Sequence, residues 1–172
     1  FNDTTLGVAP DTGEIQDYGA RLGVKSVAPA NKACWMKESG FARLQNGPFL
    51  VLADVGHVNP DYQPGHAHAE AMSFELSVRN NRCLVNSGIS TYALGPERCY
   101  QRSSSAHNCL VVDGENSSEV WSGHRVARRA KVICERADEF RIDAMHDGYR
   151  RIPCIGVHHR SWVLEASTLC VR

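Results

Sequence analysis

From Cys34 onward the sequence is cut into short alternating apolar runs with turn-forming residues between them. Phe41-Ala-Arg-Leu-Gln is followed by Asn46-Gly47 and then by Phe49-Leu-Val-Leu-Ala-Asp-Val. Alternation puts every second side chain on one face of an extended chain, and Asn-Gly supplies the left-handed backbone that a tight hairpin needs. The same pattern predicts strands over 72–78 and 82–86, turned at Asn80-Asn81, and a strand over 107–113 ended by Asp113-Gly114. Further strands are expected over 130–136, 139–145 and 157–165. Many short strands with turn signals between them predict an all-β fold, an antiparallel β-sandwich. No internal repeat is evident.

Residues 1–23 differ in style from the rest. Asp11-Thr12 can cap a helix, Glu14 falls in its first turn, and Ile15, Tyr18 and Leu22 recur at helical spacing. One short helix is expected at about residues 12–22, closed by Gly23, with a polar connector containing Pro29 over 24–34. The chain opens on Phe1 and is expected to be a segment of a longer protein, divided into a tail and linker over 1–33 and a sandwich domain over 34–172.

Composition narrows the function. The formal charge is zero over 172 residues, which argues against a nucleic-acid binder, since these carry a basic excess. No apolar run approaches the roughly 20 residues needed to cross a bilayer. The seven cysteines, Cys34, Cys83, Cys99, Cys109, Cys134, Cys154 and Cys170, form no C-x-x-C pair. Their odd number and their place in apolar runs predict buried free thiols rather than a disulfide framework or a cysteine-held zinc.

The chemistry concentrates in Gly65-His66-Ala67-His68-Ala69-Glu70. Were this stretch extended, His66 and His68 would point to one face and could reach one object, a metal ion or a sugar acid. Asn86 closes one predicted strand and His107 opens another. If the strands pair in order, His68, His107 and the oxygen of Asn86 converge at one end of the sheet and suit a zinc-type ion, with Asp54, Asp61 or Glu70 as other sources of oxygen. Arg98, Arg102, Arg125, Arg128 and Arg129 surround His107 in the sequence. Guanidinium forks fit carboxylates and sulfates, so these could line an anion cleft or simply pair with Glu97, Glu115 and Glu119. His146-Asp147-Gly148-Tyr149 marks a turn whose His and Tyr could serve a site or decorate it. His158 and His159 fall on opposite faces of one strand.

Four segments taken together resemble the C-terminal β-sandwich domain of the heparinase II/III-like polysaccharide lyases. They are P-G-H-A-H-A-E-A-M-S-F-E-L (64–76), L-V-N-S-G-I-S-T-Y (84–92), R-C-Y-Q-R-S-S-S-A-H-N-C-L-V-V-D-G (98–114) and H-D-G-Y-R-R (146–151). The resemblance implies β-elimination on a uronic-acid polysaccharide: heparin or heparan sulfate, alginate, or a bacterial exopolysaccharide. It implies catalytic roles for His66 and Tyr92, a structural zinc held by His68, Asn86 and His107, and substrate contacts from Arg98 and Arg102. Asn86 stands where the family usually has Asp. Phe1-Asn-Asp-Thr-Thr and the following helix resemble the end of the family's helical toroid, which carries the main base and the carboxylate-neutralising groups. The fragment alone is therefore expected to turn over little substrate. The implied partners are an acidic polysaccharide and the chain's own N-terminal helical domain; a homodimer is an open alternative for its assembly. The implied location is the bacterial cell envelope or periplasm.

Two other classes compete. A cupin also offers H-x-H on β-strands, but it wants Glu three or four residues later, where Met72 and Ser73 stand. A non-catalytic carbohydrate-binding sandwich would use aromatics such as Tyr92 and Trp121 and bind without cleaving.

Overall fold

A computed structural model describes residues 9–25, 27 and 34–172. Residues 1–8 and most of the connector expected over 24–34, Pro29 among them, lie outside the described residues. Helix α1 spans Thr12–Arg21. Its start is the expected one: the Asp11 carboxylate accepts from Glu14 N–H at 2.9 Å, and Glu14 accepts from Asp11 N–H at 3.0 Å. This reciprocal box satisfies two donors that the first turn leaves open.

Two antiparallel sheets form the body. The first is a meander of β1 (Cys34–Met36), β2 (Phe41–Asn46), β3 (Phe49–Asp54), β4 (Phe74–Val78) and β5 (Asn81–Leu84) in that spatial order. The predicted hairpin is present, with Asn46 paired to Phe49 around Gly47 and Pro48. The next turn sits one residue earlier than expected, on Arg79 and Asn80, both with positive φ. Helix α2 (Pro96–Gln101) and a ribbon of β6 (Val120–Trp121) and β7 (Arg125–Val126) follow. The second sheet runs β11 (Leu169–Val171), β10 (His158–Leu164), β9 (Arg141–His146), β8 (Val132–Ala137).

Alternation along each strand builds the core between the sheets. Ala42, Leu44, Val51, Ala53 and Phe74 of the first sheet share one buried cluster with Val132, Ile142, Ala144, Trp162 and Leu164 of the second. Phe74 and Trp162 meet edge to face at 6.0 Å and join the two layers. The all-β sandwich expected from the sequence is the observed fold.

Three expectations are corrected. The strand expected from Met72 begins at Phe74, because Ser73 N–H donates to Glu70 O at 2.8 Å and closes a turn that holds Met72 at φ 59°. Residues 107–113 form no regular strand; a 3₁₀ turn over Ser104–Ala106 precedes them, and only Val112 bridges Glu115 around Asp113-Gly114. There the Asn108 amide does the work of a ladder, donating to Phe74 O at 3.0 Å and Val85 O at 3.1 Å. All seven cysteines are free, as expected, but none is buried; Cys34, Cys83, Cys99 and Cys154 are exposed and the others half-buried.

Candidate functional site

The site grows from the loop after β3. Pro64–His66 makes a 3₁₀ turn, closed by Ala67 N–H donating to Pro64 O at 3.0 Å. That turn breaks the extended geometry presupposed for His66 and His68, so the two rings enter different surroundings. His66 is half-buried at the surface. Its ring lies 6.2 Å from Tyr92, edge on, and 6.0 Å from His124. Tyr92 and His124 stack at 5.6 Å with 22° between planes, and Tyr92 is 48% exposed.

His124, on the β6–β7 turn, is a site residue that sequence reasoning missed. Its Nδ1–H donates to Gly65 O at 3.3 Å, because a carbonyl can only accept. Nε2 is then the basic nitrogen. The turn is held at the rim by Gly123 O, which accepts from Arg98 Nε at 3.0 Å, and by Ser122 O, which accepts from Arg102 Nη1 at 3.0 Å.

Beneath the rim lie the two arginines expected to grip substrate, and the structure places them otherwise. Arg102 is fully buried. Its Nε and Nη2 donate to Ala67 O at 3.1 and 2.8 Å, Nη1 to Trp121 O and Ser122 O at 3.1 and 3.0 Å, and Nη2 also to Arg125 O at 3.1 Å. A guanidinium has five N–H groups, and here all five meet backbone carbonyls. Arg98, also fully buried, donates from Nε to Gly123 O at 3.0 Å and lies 5.0 Å under the Tyr92 ring. Both therefore hold the histidine loop, the β6–β7 ribbon and Tyr92 together. Of the other three arginines, Arg125 is exposed and the remaining two are committed. Arg128 donates to Gly148 O at 2.8 Å, and Arg129 to Val58 O, Asn59 O and Asp61.

The second half of the motif is inside. His68 is fully buried and His107 nearly so. His68 Nδ1 lies 3.2 Å from His107 Nε2, and Asn86 Nδ2 lies 3.0 Å from His107 Nδ1. Glu70 Oε2 stands 3.9 Å from the same Nδ1, too far to accept a hydrogen bond. Burial, and then the charge His68 would carry, push His107 down to about 3, against a smaller lift from the Gln101 carbonyl. It is a neutral ring at any ordinary pH.

Two nitrogens on one tetrahedral zinc, each at about 2.05 Å, stand about 3.3 Å apart. The His68–His107 separation of 3.2 Å matches that spacing. Asn86 does not complete the set, because it faces the far nitrogen of His107. Among the described residues no group of three or more His, Cys, Asp or Glu is placed to share an ion. The expected trio thus meets in space, but its donor atoms do not fit a three-ligand zinc.

The third motif is also buried. His146 Nδ1 accepts from Gly148 N–H at 3.0 Å, leaving Nε2–H to donate to His158 Nδ1 at 3.0 Å. Burial, and then the charge His158 would carry, push His146 down to about 4; burial and then Arg160 push His158 down to about 4. Tyr149 donates to Leu110 O. Three grooves open elsewhere, around His57, Asn59 and Pro60.

The antiparallel sandwich is shared with known proteins. The model of the family "Heparinase II/III-like, C-terminal" matches residues 28–172, and the chain belongs to that family. No curated protein sequence matches it. Among solved structures it is similar to one described as "Heparinase III-BT4657 gene product", at 17% identity and a TM-score of 0.62. A second, of the same product with methylated lysines, gives 15% and 0.58. Each similarity covers 90% or 91% of this chain but 24% of the other, so the chain spans about a quarter of those proteins' length. No helix among the described residues is long and apolar enough to cross a membrane.

Proposed function

We propose that this domain is the β-sandwich part of a polysaccharide lyase that cleaves a uronic-acid polymer by β-elimination. Family membership supports the reaction class. The observation that carries the site is the clustering of His66, Tyr92 and His124 at the surface. The reaction removes the proton beside the uronate carboxylate, and the electron pair left behind forms a double bond as the bond to the C4 oxygen breaks. It needs a base, an acid for the departing oxygen, and neutralisation of the carboxylate. His66 and Tyr92 are the acid–base candidates on this side, and His124 Nε2 is a third basic atom within the same cluster. Arg98 and Arg102 are spent on carbonyls, while Arg125, beside His124, is exposed, so carboxylate neutralisation falls to Arg125 or to the N-terminal helical domain. Heparin or heparan sulfate, alginate and a bacterial exopolysaccharide are all substrates of the right chemistry, and a bacterial envelope or periplasmic location belongs to the same reading.

The test compares the full-length protein, its His66→Ala and Tyr92→Phe variants and the isolated sandwich on these polymers, reading ultraviolet absorbance of the unsaturated uronate. The full-length parent is expected to produce it, and the variants and the sandwich alone to produce little. Equal turnover by His66→Ala would end the catalytic assignment. A second reading is a non-catalytic carbohydrate binder, favoured by the exposed Trp121 and Tyr92. Binding by the full-length protein without any unsaturated product would select it.

A further inference from the structure

The buried trio holds a chain of hydrogen bonds whose direction is fixed at one end. Asn86 Oδ1 accepts from Gly88 N–H at 2.9 Å. Turning the amide over would set two donors against each other, so Nδ2 must face His107. Nδ2 carries only hydrogens, and His107 Nδ1, 3.0 Å away, must accept. The single proton of the neutral ring then lies on Nε2, where it points at His68 Nδ1 over 3.2 Å. That proton occupies the line along which two lone pairs would otherwise converge on an ion.

We propose that in this chain a hydrogen-bonded relay, Asn86 to His107 to His68, braces the rim in place of a metal ion, and that the amide of Asn86 is what excludes the metal. An aspartate at position 86 would reverse the relay. Its carboxylate could accept from Gly88 N–H and from His107 Nδ1–H together, moving the ring proton to Nδ1. His107 Nε2 and His68 Nδ1 would then present two lone pairs at a zinc-like spacing, and the imidazole would be oriented as metal-bound histidines usually are, by a carboxylate on the far nitrogen.

The experiment uses the whole purified chain and needs no substrate, so its result is independent of the lyase reading. Metal content after chelation, zinc addition and dialysis is measured with thermal unfolding in EDTA and in zinc. Long-range ¹⁵N NMR of the histidines assigns the His107 tautomer. The parent is expected to hold far less than one zinc per chain, to unfold at the same temperature in both media, and to show His107 Nδ1 unprotonated. Asn86→Asp, with two imidazole nitrogens as ligands and solvent completing the set, is expected to take up more zinc than the parent and to gain roughly 2 °C or more in excess zinc over EDTA. Adding His68→Ala should remove both gains. A parent that retains one zinc, or loses stability in EDTA, or carries its proton on Nδ1, overturns the proposal. So does a folded Asn86→Asp that gains no metal. Should that variant not fold, the three measurements on the parent decide alone.

Discussion

Two layers of the same site, one exposed and one sealed beneath it, are built from neighbouring residues. His66, Tyr92 and His124 form the upper layer, and Arg98, Arg102, His68 and His107 the lower. What separates them is how many of their polar atoms the backbone has already taken. Arg102 has every N–H on a carbonyl. His124 gives one nitrogen to Gly65 O and keeps the other. A side chain spent in full is architecture, however charged it is. A side chain spent by half is held in place and still has an atom for chemistry.

The largest expected effect falls on the upper layer. His66→Ala in the full-length protein should lower turnover on the order of 10²–10⁴-fold, the usual worth of a positioned acid or base. Its unfolding midpoint should stay within roughly 1–2 °C of the parent's, because the ring is half-buried at the surface. The lower layer should respond the other way. Arg102→Met strands four backbone carbonyls, those of residues 67, 121, 122 and 125, and should cost about 3 kcal/mol or more in denaturant unfolding. A stable but inactive Arg102→Met would show instead that this arginine acts on substrate, and the division between layers would fail.

How much of this could be read from the sequence follows from range. The hairpin of β2 and β3 and the capped start of α1 are local events, written in alternation, Asn46-Gly47 and the Asp11–Glu14 pair. The rim is not local. His124 is a lone histidine in a ribbon of two-residue strands, and it joins His66 only because Arg98 and Arg102 pull that ribbon onto the loop. No spacing rule announces it. The arginines were visible but their partners were not, since a guanidinium fork fits a carbonyl cluster as well as a sugar acid. The missing strand at 107–113 has the same cause: its apolar run reads as a strand, while the bonds that shape it come from the Asn108 side chain to residues 23 and 34 positions away.

A smaller effect tests whether the lower layer's logic extends to the other imidazole pair. His146 and His158 are both pushed down to about 4 from the ordinary 6.5. Between those values the unfolded chain binds protons at these rings and the folded chain does not. The stability they contribute is therefore fully present above about pH 6.5, falls as pH falls, and is gone below about pH 4, a loss of roughly 3 kcal/mol from buried His146 and less from partly exposed His158. His158→Gln keeps an acceptor for His146 Nε2–H and removes one titrating ring, so it should flatten the decline in denaturant midpoint over that window. An unchanged slope would mean that these rings are protonated in the native state.

The smallest effect belongs to a region in neither layer. Helix α1 has no buried residue, and its apolar face, Ile15, Tyr18 and Leu22, is 58%, 58% and 64% exposed. Serine and isoleucine have similar helix propensity, as do serine and tyrosine, so Ile15→Ser with Tyr18→Ser removes the apolar face without weakening the helix itself. In the present chain the double variant should change unfolding stability by less than about 0.5 kcal/mol, against about 3–5 kcal/mol for Trp162→Ala in the core. A loss above about 1 kcal/mol would place the helix against the sandwich. In the longer lyase proposed above the same pair should cost more, because a face this apolar gains stability only when something covers it. The difference between the two measurements is the contribution of whatever the helix packs against there.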